Sequence, residues 1–99
     1  MSRREELGKV LKEFCPNVYF QSPGKDKMKY PCILYRRNSD TVNYADDSRY
    51  HERDSYTVTV IDPDPDSLIP AKIKTLPYTR FDRHYAAENL NHDVFNVYF

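Results

Sequence analysis

The chain has 99 residues, of which 39% are hydrophobic and 30% charged, so it can form one small domain and is too short for a multidomain enzyme. Fifteen Lys and Arg balance fifteen Asp and Glu, which leaves no overall charge to drive non-specific binding to nucleic acid or to an anionic membrane. Two glycines are too few for a Gly-rich phosphate-binding loop, which disfavours nucleotide-binding folds of that kind.

The first predicted element is an amphipathic helix over residues 2–14. Ser2, followed three residues later by Glu5, has the spacing of a capping box. Apolar residues then recur at helical spacing, at Leu7, Val10, Leu11 and Phe14. Pro16 is expected to end this helix, because proline has no N–H to donate and disfavours the helical conformation in the residue before it.

Two strands, separated by a turn, are predicted next. Residues 18–20 are a short apolar run, and residues 22–26 contain the Pro and Gly typical of a turn. Residues 30–37 are predicted to be a second strand, with Pro31 tolerated only near its start or on an edge. Alternation places Cys32 and Leu34 on one face of this strand and Ile33 and Tyr35 on the other.

The cysteines, Cys15 and Cys32, lie outside any Cys-x-x-Cys spacing, so a zinc knuckle or a thioredoxin-like motif has no support. We expect two buried, reduced thiols, with a disulfide as the alternative. The charged start of the chain and the lack of an apolar run of about 18 residues predict neither a signal peptide nor a membrane span. We therefore expect the protein to remain in the cytoplasm where it is made.

A polar stretch, about residues 38–53, is predicted to form a projecting hairpin or arm, because a structureless loop of this length is uncommon in a small domain unless it is functional. The arm is expected to contact a partner, since Arg and Tyr are enriched in protein interfaces. The candidate interface residues are Tyr44, Arg49, Tyr50 and His51. The alternative is that these are ordinary solvated loop residues. If the arm is a docking device, its deletion should leave the domain folded and abolish assembly.

The most regular strand is predicted over residues 54–62, and an acidic turn follows it over residues 62–67. The strand's inward residues are predicted to be Tyr56, Val58 and Val60. Asp66 or Ser67 is predicted to cap a second helix, with Pro70 in its first turn and Pro77 at its end. The buried stripe of this helix is predicted to contain Ile69, Ile73 and Leu76.

A terminal antiparallel pair is predicted from residues 78–85 and 91–99, joined by residues 86–90. Its second strand should direct Phe95, Val97 and Phe99 to the core, and Val94 and Tyr98 to the other side. The elements together predict an α+β class: a single domain over residues 1–99, with two helices packed on one face of an antiparallel or mixed β-sheet and a projecting arm at about 38–53.

Charge is unevenly distributed along the chain. Residues 1–37 hold nine bases and four acids, a balance of +5, whereas residues 38–70 hold two bases and eight acids, a balance of −6. If these segments occupy different faces, the acidic face of one copy could meet the basic face of the next, as in a head-to-tail ring. The alternative is that the opposite charges pair within one solvated surface.

No group of residues predicts catalysis, a cofactor or a metal. Asp62, Asp64 and Asp66 lack the glycine and the late glutamate of an EF-hand calcium loop. The three histidines have no ligand spacing. Neither cysteine has the accompaniments of a hydrolase nucleophile. No RNA-recognition motif occurs, so the tyrosines of the strands are expected to be sheet-packing residues, as at Tyr19, Tyr35 and Tyr56.

The order and lengths of these elements resemble small tail-terminator or tail-completion proteins of long-tailed bacteriophages. The resemblance covers nearly the whole chain, from the opening helix through the Tyr-Pro-Cys-Ile-Leu-Tyr strand at 30–35 to the ending Leu-Asn-His-Asp-Val-Phe-Asn-Val-Tyr-Phe at 90–99. It rests on architecture rather than on a ligand signature, so it assigns no individual residue a role.

This resemblance implies a non-enzymatic virion protein that is made in the host cytoplasm and located in the tail neck. It implies a ring, usually of six copies, at the head-proximal end of the tail tube, which stops tube polymerisation and meets the head connector. The implied partners are therefore other copies, the tail tube protein and the head connector or head-closure protein. Two other hypotheses stay open: a small cytoplasmic adaptor or regulatory module, and another neck component such as a head-closure protein.

Overall fold

The computed structural model describes residues 2–24, 27–38 and 53–99, which form two helices and five strands. In chain order they are α1 (Arg3–Lys12), β1 (Val18–Phe20), β2 (Cys32–Arg37), β3 (Ser55–Asp62), α2 (Ile69–Ile73), β4 (Thr79–Ala87) and β5 (Leu90–Tyr98). The strands form one mixed sheet in the order β1-β2-β3-β5-β4. The α+β class and the element order of the described residues are as predicted.

Only β1 and β2 pair in parallel, with Val18 opposite Ile33 and Phe20 opposite Tyr35. Parallel pairing requires the chain to return to the same end of the sheet between β1 and β2. The other three pairs are antiparallel. The predicted start of the second strand at residue 30 is two residues early, because pairing begins at Cys32.

The predicted capping box of α1 is confirmed. The main-chain N–H of Glu5 donates to Ser2 Oγ at 3.2 Å, and the Glu5 carboxylate accepts from the Ser2 N–H at 3.1 Å. The hydrogen bonds that the Glu5 carboxylate accepts from the main-chain N–H and the hydroxyl of Ser2 hold its pKa below its usual value. The helix ends at Lys12, two residues before the predicted end, because its last turn tightens into three-residue hydrogen bonds such as Phe14 N–H to the carbonyl oxygen of Leu11 at 2.9 Å.

The predicted cap of α2 is wrong. The N-cap residue is Leu68, which makes no side-chain capping bond, although Ser67 Oγ accepts the N–H of Ile69 at 3.2 Å. The main-chain N–H of Asp66 donates to Asp64 Oδ1 at 2.8 Å within the preceding turn. The helix is correspondingly short, and Pro70 lies in its first turn as predicted.

One cluster of buried side chains forms the core. It draws Leu7 and Leu11 from α1, Ile73 from α2, and the alternate residues of the strands. The strand members are Ile33, Tyr35, Tyr56, Val58, Val60, Phe95 and Val97. Phe99 is partly buried against the cluster. The inward residues predicted for β3 and β5 are therefore confirmed.

Strands β4 and β5 form a hairpin with a two-residue turn, Glu88 and Asn89, rather than the predicted five-residue connection. Both turn residues have positive φ, 55° and 64°, a backbone combination that matches the twist of paired strands and permits a tight reversal. The strands therefore continue to Ala87 and Leu90, which pair directly.

Candidate assembly surfaces

The predicted interface residues, Tyr44, Arg49, Tyr50 and His51, lie outside the described residues. The two ends of the predicted arm are described, and both lie beside the start of β3. The N–H of Asn38 donates to the carbonyl oxygen of Ser55 at 2.8 Å, and its side chain bonds Ser55 Oγ and Thr57 Oγ1 at 2.8 and 2.6 Å. Arg53 lies over the ring of Tyr78, 4.4 Å from its centroid.

Three arginines from two distant parts of the sequence meet at this same end of the sheet. Arg3 and Arg4 are in the first turn of α1, and Arg37 is the last residue of β2. They line a cleft of about 440 Å³ whose lining residues are Ser2, Arg3, Arg4, Phe20, Gln21, Arg37, Asp54 and Tyr56. We call it the arginine cleft. The order of the strands brings these residues together, since β1, β2 and β3 are adjacent.

The arginine cleft has a positive balance. Its described lining residues include three arginines and one carboxylate, that of Asp54, which gives +2, and the guanidinium of Arg3 also donates to the carbonyl oxygen of Phe99 at 3.3 Å. Arg37 reaches Asp54 at 3.4 Å, but its side chain is 54% exposed, so solvent screens the pair. The guanidinium of Arg4 lies 4.9 Å from the centroid of the ring of Phe20, another lining residue, in a cation–π contact.

At the other end of β3, residues 62–66 form an acidic turn. Asp62 is buried, whereas Asp64 and Asp66 are exposed. The N–H of Asp64 donates to Asp62 Oδ1 at 2.8 Å, and the N–H of Asp66 donates to Asp64 Oδ1 at 2.8 Å. These bonds, with two prolines in between, fix the backbone so that two carboxylates are displayed in a preset arrangement.

The third surface is the edge strand β4. Among the residues that the structure describes it pairs only with β5, on one side, and eight of its nine residues are exposed. Phe81 and Tyr85 are 45% and 42% exposed, although aromatic side chains usually bury most of their surface. A β-bulge interrupts the pairing between Phe81 and Arg83, so that Asp82 has no partner residue in β5.

The hairpin also carries the two described histidines. His84 Nδ1 lies 2.7 Å from Asp93 Oδ1, and the ring of His92 stacks on that of Tyr85 at 4.5 Å between centroids. Each histidine thus has a neighbour on the paired strand. Within residues 2–24, 27–38 and 53–99, no three His, Cys, Asp or Glu side chains are grouped as metal ligands.

Both cysteine thiols are free and buried, as predicted. Burial raises the pKa of the Cys32 thiol from 9.0 to about 12, with smaller contributions in the same direction from Cys15 and Asp62. A thiol with so high a pKa is almost wholly protonated at neutral pH, so it is a poor nucleophile. Tyr35 and Tyr56 are buried in the core and Tyr19 is half-buried, which fits sheet packing.

Comparison with protein-family models, with curated proteins and with solved structures finds no match to this chain. The two described helices are both too short and too polar to cross a membrane.

Sequence reasoning did not single out the arginine cleft or the exposed edge of β4. The cleft has no local signal, because its residues become neighbours only through the strand order. The edge does have one: apolar alternation fails around Phe81, Asp82 and Arg83, and such a break in a strand pattern is typical of a bulge at a sheet edge.

Proposed function

We propose that this chain is a structural subunit that assembles with copies of itself, as a phage tail terminator or tail-completion protein does. The observation that carries the proposal is the exposed outer edge of β4. A long unpaired edge is a template for pairing with another chain, and proteins usually shorten or cover such edges. Here the edge is nine residues long and keeps two exposed aromatic side chains.

The composition of β4 fits a specific partner rather than indiscriminate aggregation. Arg80, Asp82 and Arg83 place both signs of charge along the edge. Charges and a bulge discourage random strand pairing, so a partner must match them as well as the backbone. Phe81 and Tyr85 supply the apolar area that such a partner would bury.

The proposal includes a ring, by analogy six copies, at the head-proximal end of a tail tube. There it would stop tube polymerisation and join the tail to the head connector. The partners are then the subunit itself, the tail tube protein and the connector or head-closure protein, and the location is the virion neck. Another neck component, such as a head-closure protein, would share this general requirement for a surface that binds neighbouring subunits.

We further propose that both helices cover the same face of the sheet. The support is the single core cluster, in which Leu11 of α1 and Ile73 of α2 join Val58 and Phe95 of the central strands. This arrangement leaves the β4 edge to one side of the helices and accessible to a neighbour.

The test is the mass of the purified protein across concentration, by light scattering after size exclusion, with and without tail tube protein. We expect a ring, or a monomer that assembles when tube protein is added. Phe81→Ser combined with Tyr85→Ser should weaken this association. The matched control is Leu68→Ser, since Leu68 is 75% exposed but lies outside β4.

A protein that remains monomeric in both conditions would contradict the proposal. It would favour the second candidate, a small adaptor, because an exposed sheet edge can also accept an extended peptide as an added strand. Equal association of the Leu68 and β4 variants would mean that β4 is not the contact.

A further inference from the structure

We infer that neighbouring copies meet head to tail, with the acidic turn of one copy seated in the arginine cleft of the next. This inference rests on the proposed function as a self-assembling subunit. It adds, to the contact through the β4 edge, a second pair of surfaces and the charged groups that join them.

The two surfaces lie at opposite ends of one strand. Asp54 and Tyr56, at the start of β3, line the arginine cleft, and Asp62, at its end, begins the acidic turn. The strand has eight residues, which at about 3.3 Å per residue separates its ends by roughly 25 Å. The acidic turn therefore cannot reach the cleft of its own chain, and only a second copy can bring the two together.

The charges of the two surfaces match. The cleft carries three arginines and one aspartate, a balance of +2, and the exposed part of the turn carries Asp64 and Asp66, a balance of −2. Arginine is suited to this contact because its planar guanidinium binds a carboxylate through two parallel hydrogen bonds. A single carboxylate in the cleft, Asp54, also makes it less suited to a polyanion than an all-basic patch would be.

The turn is arranged before it binds. Its two internal hydrogen bonds, both 2.8 Å, engage one oxygen of Asp62 and one of Asp64, and the prolines restrict the backbone between the carboxylates. Docking a segment that is already ordered loses little conformational entropy. Because cleft and turn are different surfaces, their contact is heterologous, and such contacts produce a closed ring when the rotation between copies closes.

The experiment reverses the charge of each surface separately. The cleft variant carries Arg4→Glu and Arg37→Glu, and the turn variant carries Asp64→Lys and Asp66→Lys. Each alone places like charges in contact, so we expect the dissociation constant between copies to rise by a factor of about ten or more. An equimolar mixture of the two variants should recover association. The native acidic turn of the cleft variant then meets the native cleft of the turn variant, and the basic turn of the turn variant meets the acidic cleft of the cleft variant.

The control is the double variant Lys9→Glu and Lys72→Glu, which changes the net charge as the cleft variant does but alters exposed residues outside both surfaces. Circular dichroism on all variants verifies the fold. Recovery in the mixture, with the control unchanged, supports the contact. If wild-type copies associate and the mixture does not recover, or one reversed variant associates normally, this contact is overturned and the proposed function is not. If wild-type copies do not associate even with tube protein, both are overturned.

Discussion

Strands β3 and β4 flank the same strand, β5, yet they differ in what their side chains contribute. Five of the eight residues of β3 are buried, whereas no residue of β4 is. β3 is held by packing against both its neighbours and the core, and β4 is held mainly by its hydrogen bonds to one strand. We conclude that β3 stabilises the single subunit, while β4 has surface left for contact with another molecule.

The largest expected difference between the buried and the exposed strands concerns two phenylalanines that touch each other. Phe95 is fully buried, Phe81 is 45% exposed, and their rings meet edge to face at 5.5 Å. We expect Phe95→Ala to lower the free energy of unfolding by about 3–5 kcal/mol, because it opens a cavity in the core. Phe81→Ala should cost clearly less, because nearly half of Phe81 is already exposed and its ring pair is worth only about 0.5–1.5 kcal/mol beyond the area it buries. Chemical denaturation of both variants measures the difference, and equal losses would contradict it.

A second prediction concerns the close packing of the β2 side of the sheet against α1. A Cβ added at Gly8 would lie 2.6 Å from the hydroxyl oxygen of Tyr35, which itself donates to the carbonyl oxygen of Arg4 at 3.0 Å. We expect Gly8→Ala to destabilise the fold by about 1–3 kcal/mol, despite the better helix propensity of alanine.

The control for Gly8 is the same substitution in a Tyr35→Phe background. Removing the hydroxyl removes the clashing atom, so Gly8→Ala should there be harmless or stabilising. A double-mutant cycle of unfolding free energies reports this coupling. Additive effects of the two substitutions would show that the hydroxyl does not restrict position 8.

The third prediction is a loss of stability at alkaline pH that arises on the β2 and β3 side. Burial raises the pKa of Tyr35 and Tyr56, and it raises that of Cys32 from 9.0 to about 12. A raised pKa means that the folded state keeps its proton longer than the unfolded state, so this stability is complete below the unfolded pKa and is lost as pH rises toward the folded one.

For Cys32 the window is therefore about pH 9 to 12. Across this window the free energy of unfolding, measured from pH 7 upward, should decrease with pH. Cys32→Ala should make that decrease less steep. The tyrosines act in the same direction and leave some slope in that variant. A Cys32→Ala variant with the wild-type profile would assign the whole effect to other groups.

Much of this fold could be predicted from local sequence patterns. The features that could not be predicted are where elements begin and turn, and which elements become neighbours. The capping box at Ser2 and the alternation of β3 were predictable because each is a contact within a few residues. The N-cap of α2 was missed because Leu68, which has no capping group, stands between Ser67 and the first residue of the helix. The turn at Glu88 was missed because glutamate rarely adopts positive φ.

The candidate surfaces were less predictable for the same reason. The unequal charge of the first and middle segments is visible in the sequence. The arginine cleft, however, forms only because the start of α1, the end of β2 and the start of β3 lie at one place. β4 is an edge strand because β3 pairs with β5, although α2 and β4 lie between these two strands in the sequence. Local periodicity contains no information on such long-range order.

The smallest expected effect is on stability, at Arg37. Its ion pair with Asp54 is 3.4 Å long, and the two side chains are 54% and 33% exposed. We therefore expect Arg37→Ala to change the free energy of unfolding of the subunit by less than about 1 kcal/mol. If the cleft serves assembly, the same variant should weaken association between copies measurably. Arg37 would then matter to assembly more than to folding, as we propose for β4. A large loss of stability with unchanged association would instead make Arg37 part of the subunit's own framework, like β3.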